Sequence, residues 1–246
     1  MNKLIALITG LLMIAGIGVL IYYIVPTTPE AFYTPDEAKE RINQKYPEAK
    51  VDVVQEVVKV KDTHAFVPYI SEDNYMGASF WEWRNHKWEL TVVKNSLLPE
   101  IWRLDGENPE DAYIVWNIHP ASKWGSFGLY MYRTPYYYEM NNKEYYKPQI
   151  QFEEIYSLKE QTYGVQKIPE EWANFIKDYN SLEGNENTEF SIVGNGDTRI
   201  EWIPYDKNKG ATIVGDYYKM NEDYGESDDR LAFNYLSMLS EIDLER

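Results

Sequence analysis

The chain has 246 residues, a formal net charge of −16 and no cysteine. A hydrophobic fraction of 44% and an aromatic fraction of 15% exclude a disordered stalk, and the lack of cysteine excludes a disulfide-stabilised fold. The acidity and the scattered Lys and Arg residues argue against nucleic acids and anionic lipid headgroups as ligands, because binding those requires clustered cations. A neutral glycan, a basic peptide or another membrane protein remains as the expected partner.

The first predicted element is an uncharged run from Leu4 to Val25. As a helix rising about 1.5 Å per residue it extends about 33 Å, enough for a hydrocarbon core about 30 Å thick. Tyr22 and Tyr23 fall where an interfacial aromatic belt belongs, and Pro26 stops the helix just beyond them. A cleaved signal peptide has a shorter apolar stretch and small residues at its cleavage site. The run is therefore predicted to be an uncleaved transmembrane anchor in the lipid bilayer.

The basic residues nearest to this anchor set its predicted orientation. Lys3 precedes the run, whereas the first basic residue after it is Lys39. Because positive charge stays on the cytoplasmic side, residues 1–3 are a predicted cytoplasmic tail, 4–25 the anchor and 26–33 an extracytoplasmic spacer. The predicted location is the cell membrane, single-pass, with most of the chain outside. An outward-facing domain without cysteine is commoner in Gram-positive bacteria than among eukaryotic secreted proteins.

A helix is predicted where the extracytoplasmic domain begins. Thr34 suits the N-cap position, Pro35 the first helical position, and Glu37 completes a capping box three residues after the cap. The predicted helix spans residues 34–46. It opens a predicted α+β ectodomain over residues 34–183.

Two segments rich in valine and aromatic residues, 51–60 and 64–70, are predicted strands. Pro68 indicates that the second of them lies at a sheet edge or contains a bulge. The helix and the strands that follow it, together about a quarter of the chain, resemble the PepSY type of bacterial extracytoplasmic module. That resemblance includes no diagnostic residue, so it implies no function for this chain.

The clearest β-hairpin is predicted over residues 78–94, with Asn85 and His86 in a two-residue turn. Asn tolerates the positive φ that such turns require. The register predicts three cross-strand pairs: Trp83 with Trp88, Trp81 with Leu90, and Glu82 with Glu89.

The region from Leu97 to Asp111 mixes proline, glycine and charged residues, so a loop-rich connection and a possible subdomain boundary near 95–111 are predicted. Further predicted strands cover residues 112–118, 127–133 and 149–158. A second helix is predicted to begin at Pro169 and to end before Gly184.

Residues 184–246 are predicted to form a C-terminal β-meander plus a helix, packed on the preceding part. The meander strands are predicted at 190–193, 198–203 and 211–214. The terminal helix is predicted to begin at the cap Ser227 and to bury an apolar stripe up to Ile242. The predicted fold class is α+β: an N-terminal transmembrane helix followed by a mainly antiparallel β ectodomain with about three helices.

Three consecutive tyrosines, Tyr136, Tyr137 and Tyr138, are the candidate ligand-binding residues. Successive side chains of a strand point to opposite faces, so the three rings cannot share one face, and at least one is expected to be exposed. Exposed rings stack on sugars or contact peptides. The other aromatic residues of this region are predicted to form the core.

No catalytic residue, metal site or cofactor is predicted. His64, His86 and His119 lack metal-site spacing. The predicted function is a non-catalytic extracytoplasmic binding or interaction domain at a bacterial cell surface. A membrane-anchored hydrolase or transferase acting on cell-wall glycan or peptide stays open, because no spacing identifies a catalytic carboxylate pair among 40 acidic residues.

Overall fold

The computed structural model describes residues 8–17, 28–104, 108–182, 198–215, 218, 223–225, 232–240 and 244. Within these residues the chain is α+β, with three α-helices and mainly antiparallel sheets. The helices are α1 (8–17), α2 (Pro35–Lys45) and α3 (Glu170–Leu182), and short 3₁₀ segments cover Pro47–Ala49, Pro109–Asp111 and Pro120–Ser122. The predicted anchor is thus described only over 8–17. Across the described ranges, no helix combines the length and the apolar character that a membrane crossing requires.

Sixteen strands lie in the described residues. In chain order they are β1 (Val51–Val54), β2 (Val58–Lys61), β3 (His64–Ser71), β4 (Met76–Arg84), β5 (Lys87–Lys94), β6 (Leu97–Arg103), β7 (Ala112–Asn117), β8 (Trp124–Arg133), β9 (Tyr136–Met140), β10 (Lys143–Lys147), β11 (Ile150–Ser157), β12 (Tyr163–Lys167), β13 (Arg199–Asp206), β14 (Asp223–Gly225), β15 (Ala232–Tyr235) and β16 (Ser237–Met238).

These strands form three larger sheets and one hairpin. The first sheet has the order β1-β3-β4-β5-β14, and β2 also pairs with β3. The second sheet has the order β12-β7-β6-β15, and the third has the order β11-β8-β13-β16. Among the described strands, β9 pairs only with β10. The short pairing of β13 with β16 is parallel, and the other pairings are antiparallel.

The layers stack in the order α2, first sheet, second sheet, third sheet. Alternate residues of a strand supply the cores on its two faces: in β3, Val67 packs towards α2 and Phe66 towards the second sheet. In β6, Trp102 packs against the first sheet and Ile101 against the third. The central strands of the second sheet, β6 and β7, are therefore largely buried on both faces.

The local sequence signals predicted the first helix and the first hairpin correctly. Thr34 caps α2, and its capping box with Glu37 is present. In the β4–β5 hairpin the three predicted cross-strand pairs are all found, and Asn85 and His86 adopt φ values of 52° and 62° in the turn. The second predicted helix is confirmed as α3.

Pro68 does not mark a sheet edge, because β3 has β4 on one side and both β1 and β2 on the other. Its carbonyl accepts a hydrogen bond from the backbone N–H of Gln55 at 2.9 Å, at the interruption between β1 and β2. The missing N–H of the proline is thus accommodated where the neighbouring strand is broken.

The prediction of a loop-rich connection after Leu97 is wrong, because residues 97–103 form β6. The local signal was misleading at Pro99, which falls within the register shift between Leu97 and Glu100 in the β6–β7 pairing. Leu97 and Trp102 are fully buried, and their burial outweighs the proline and the charges nearby.

The predicted C-terminal helix is also wrong, because β15 and β16 occupy its place. β15 pairs with β6 and forms the edge of the second sheet, and Trp202 donates its indole N–H to the carbonyl of Leu236 at 3.1 Å. Of the predicted apolar stripe, Leu239 is buried, whereas Tyr235 and Met238 are exposed.

Of the three predicted meander strands, the one at 198–203 is confirmed as β13. In the one at 211–214, Ala211 forms only an isolated bridge to Tyr205. The one at 190–193 lies outside the described residues.

Candidate functional site

The three candidate tyrosines lie on β9, in a two-stranded hairpin with β10. This hairpin continues the β8–β11 pair, whose last partners are Arg133 and Ile150. Pro135 directly precedes β9, and Pro148 directly follows β10. Because proline supplies no N–H for a sheet ladder, these two residues separate the β9–β10 hairpin from the β8–β11 pair. The turn residues Asn141 and Asn142 have positive φ, as a tight hairpin requires.

The tyrosine side chains lie on both faces of this hairpin. Tyr137 is 78% exposed and lies 4.6 Å, between ring centroids, from Tyr146 of β10, which is 54% exposed. On the opposite face Tyr138 stacks on Tyr145 at 5.0 Å and lies 5.6 Å from Tyr136. A two-stranded hairpin is marginally stable alone, so these ring contacts stabilise it as well as presenting aromatic surface. Ligand binding by Tyr136, Tyr137 and Tyr138 stays a prediction.

Sequence reasoning missed the partners of Tyr137 on its own face. In the β9–β10 register, Tyr146 lies opposite Tyr137 and Glu144 lies opposite Glu139, and all four residues are exposed. We call these four residues the Tyr137 face. Like charges directly opposite each other are unfavourable, so this face suits a cationic group that contacts both carboxylates. The Asn-Asn turn between two tyrosine-rich segments was the available signal for this pairing.

The three histidines lie on three different elements. His64 begins β3, and burial lowers its pKa below the usual value. His86 lies in the β4–β5 turn, and His119 caps a 3₁₀ segment by accepting the Ala121 N–H at 3.0 Å. Among the described residues, no group of three or more His, Asp or Glu side chains is placed to hold a metal ion.

A cleft of about 570 Å³ lies between α2 and the β4–β5 hairpin, and the sequence did not predict it. Eight of its twelve lining residues are aromatic or basic, and they come from α2, from the hairpin and from Tyr33 and Tyr46 on either side of α2. The lining residues are Tyr33, Arg41, Gln44, Lys45, Tyr46, Trp81, Arg84, Lys87, Trp88, Glu89, Leu90 and Thr91. We call it the basic cleft.

The four cations of the basic cleft have different partners. The Arg41 guanidinium lies 3.9 Å from the ring centroid of Tyr33, and the Lys45 ammonium donates to the carbonyl of Leu90 at 2.8 Å. The other two form ion pairs on the hairpin: Arg84 with Glu82, and Lys87 with Glu89 at 3.1 Å. The expectation that this chain has no cluster of cations is therefore wrong, because folding brings together two segments some 40 residues apart. Glu89 is the one carboxylate among the lining residues, whereas glycoside hydrolysis uses two.

The segment of residues 28–33, which we call the strap, crosses the hairpin beside this cleft. Trp88 donates its indole N–H to the carbonyl of Glu30 at 3.1 Å. The ring of Phe32 lies 4.9 Å from Trp88 and 5.5 Å from Trp81, in edge contacts with both. The predicted spacer is thus packed onto the domain from Glu30 onwards.

The geometry of the Tyr137 face and of the basic cleft does not identify a reaction. The PepSY likeness of the first helix and strands rests on their order alone. No protein family, no curated protein and no solved structure matches the chain.

Proposed function

We propose that this chain is a single-pass membrane protein whose extracytoplasmic domain binds a basic segment of a partner protein at a bacterial cell surface, without catalysis. The observation that carries the proposal is the Tyr137 face, where two exposed rings adjoin two exposed carboxylates. The tethering part of the proposal rests on the run from Leu4 to Val25 and on helix α1 within it.

The Tyr137 face combines two interactions that favour a cationic ligand. A Lys or Arg side chain over the ring of Tyr137 or Tyr146 gains a cation–π contact. The same cation between Glu139 and Glu144 relieves the repulsion of the two carboxylates. Tyrosine loses little rotamer freedom on binding, which makes it an effective anchor at interfaces. At low ionic strength the net charge of −16 also draws basic partners towards the domain.

Helix α1 supports the membrane tether through its exposed apolar side chains. They are Ile8, Leu11, Leu12, Met13, Ile14 and Ile17, and each is at least 50% exposed. Apolar surface left in water costs about 25 cal/mol per Å², so a helix that is apolar all round requires an apolar environment. In this proposal the lipid bilayer supplies that environment.

The binding proposal is tested by calorimetric titration of the full chain, in neutral detergent, with oligolysine. The variant that carries both Glu139→Gln and Glu144→Gln removes two charges from the Tyr137 face, and Tyr137→Ala removes its most exposed ring. A control carrying Glu48→Gln and Glu160→Gln removes two exposed carboxylates elsewhere. Each face variant is expected to weaken binding by about tenfold, and the control to leave it close to wild type.

Two outcomes would contradict this proposal. Equal weakening by the control would mean that oligolysine follows the overall charge and not the Tyr137 face. Sedimentation of the protein with purified peptidoglycan in a Tyr137-dependent manner, without oligolysine binding, would assign the same rings to a neutral glycan instead.

A further inference from the structure

The basic cleft is a second candidate binding site, on a different part of the domain from the Tyr137 face. We infer that it binds the phosphate of an anionic phospholipid headgroup in the membrane that holds the predicted anchor. This inference rests on the tether of the proposed function but not on its basic ligand.

The lining of the cleft matches a headgroup in size and in charge. A volume of about 570 Å³ lies within the usual range for small-molecule sites, about 300–1,000 Å³. Arg41 and Lys45 are both exposed, and among the described residues neither forms an ion pair. Arg41 makes a minor contribution to the lowered pKa of Glu37, so its charge is shared with that carboxylate but remains open to a phosphate. Arg binds phosphate through two parallel N–H donors, and Lys acts as a point charge. The aromatic walls provide the amphipathic surface typical of membrane interfaces.

The strap places this cleft close to the predicted membrane surface. Pro26 to Glu30 reach at most about 18 Å when fully extended, at about 3.6 Å per residue. Glu30 is held by the indole of Trp88, which itself lines the cleft. The chain that leaves the anchor therefore arrives beside the cleft, within reach of the headgroup layer.

The net negative charge of the chain does not prevent this contact. At physiological ionic strength, exposed charges separated by more than about 8 Å are largely screened from each other. A phosphate in the cleft therefore interacts mainly with the four cations of the lining, of which Arg84 and Lys87 are partly neutralised by Glu82 and Glu89. Arg41 and Lys45 are expected to dominate phosphate binding.

The test uses the full chain in nanodiscs of phosphatidylcholine alone or mixed with phosphatidylglycerol, followed by native mass spectrometry of the lipids that remain bound. One variant carries Arg41→Gln and Lys45→Gln. The matched control carries Lys159→Gln and Lys167→Gln, an equal charge change at exposed positions outside the cleft lining. Free glycerol 3-phosphate, added in a parallel experiment, distinguishes a soluble phosphate from a lipid headgroup.

Wild type and control are expected to retain phosphatidylglycerol in preference to phosphatidylcholine, and the cleft variant to lose that preference by about tenfold. Free glycerol 3-phosphate is expected not to displace the lipid. Loss of preference in the control as well, no preference in the wild type, or full displacement by glycerol 3-phosphate would each overturn the inference. A chain that enters neither kind of nanodisc would contradict the tether and this inference together, whereas a chain that enters both without preference would contradict the cleft alone.

Discussion

Glu30 accepts a hydrogen bond from the indole N–H of Trp88 at 3.1 Å, and this contact joins the strap to the β4–β5 hairpin. The two residues are 58 positions apart, so no local signal announces their contact. Because Trp88 also lines the basic cleft, the same residue holds the strap and forms part of the candidate lipid site. The contact between Trp88 and the strap therefore determines where the cleft lies relative to the predicted anchor.

Replacing Trp88 by Phe should lower the free energy of unfolding by about 1 kcal/mol, because one hydrogen bond is lost while a ring remains. Trp88→Ala, which also empties a buried site, should cost about 3–5 kcal/mol. Urea unfolding of the full chain in neutral detergent measures both. A Trp88→Phe variant as stable as wild type would show that this hydrogen bond does not contribute to fixing the strap.

Gly77→Ala should destabilise the fold by about 1–3 kcal/mol. A methyl group at this position would lie 2.4 Å from Cζ of Tyr69 and 2.5 Å from the carbonyl oxygen of Lys94, so the buried ring must move. Gly10→Ala is the control, because among the described residues no atom beyond its chain neighbours and the backbone of its own helix lies within 4 Å of the added methyl group. Denaturant midpoints of the two variants measure the difference. Equal midpoints would contradict the close packing of Tyr69 on Gly77.

The ion pair of Lys94 with Glu100, 3.0 Å between the charged atoms, has both side chains at least 94% buried. Removing either partner alone, by Lys94→Met or Glu100→Leu, should cost about 3–5 kcal/mol, because a charge is left buried without its partner. The double variant should recover most of that loss. Equilibrium unfolding of all four proteins gives the coupling energy. Additive losses would mean that the two charges are stabilised independently.

Acidification should destabilise the fold through His64. Burial lowers its pKa, with smaller effects from Glu82, Lys61, Asp111 and Arg84. Below a pH of about 6.5 the unfolded chain therefore binds a proton more readily than the folded chain, so stability falls as the pH falls. The His64→Gln variant should show a shallower loss of stability between pH 6.5 and the lowered pKa, as measured by urea unfolding at a series of pH values. An unchanged slope would show that other groups control this pH range.

The elements predicted correctly are those encoded by short-range chemistry. The capping box of Thr34 and Glu37 specifies α2, and the Asn85-His86 turn fixes the register of β4 and β5. The C-terminal helix prediction failed because the structure of that segment depends on long-range strand pairing. The terminal stripe has helical spacing, yet the free edge of β6 pairs with residues 232–235 as a strand.

The same distinction between local and long-range contacts applies to the candidate sites. Strand alternation predicted an exposed ring among Tyr136, Tyr137 and Tyr138, and Tyr137 is exposed. The carboxylates beside it depend on the pairing of β9 with β10. The basic cleft depends on how α2 packs across the hairpin, which no periodicity specifies.

The central claim, a membrane tether with the domain outside the cell, is tested most directly by labelling introduced cysteines on intact cells, since the natural chain has none. Glu160→Cys places a thiol at an exposed position of the domain, and Asn2→Cys places one ahead of the predicted anchor. We expect a membrane-impermeant maleimide to label Glu160→Cys in intact cells and Asn2→Cys only after permeabilisation. Labelling of Asn2→Cys but not Glu160→Cys in intact cells would contradict the orientation, and recovery of the protein in the soluble fraction would contradict the tether.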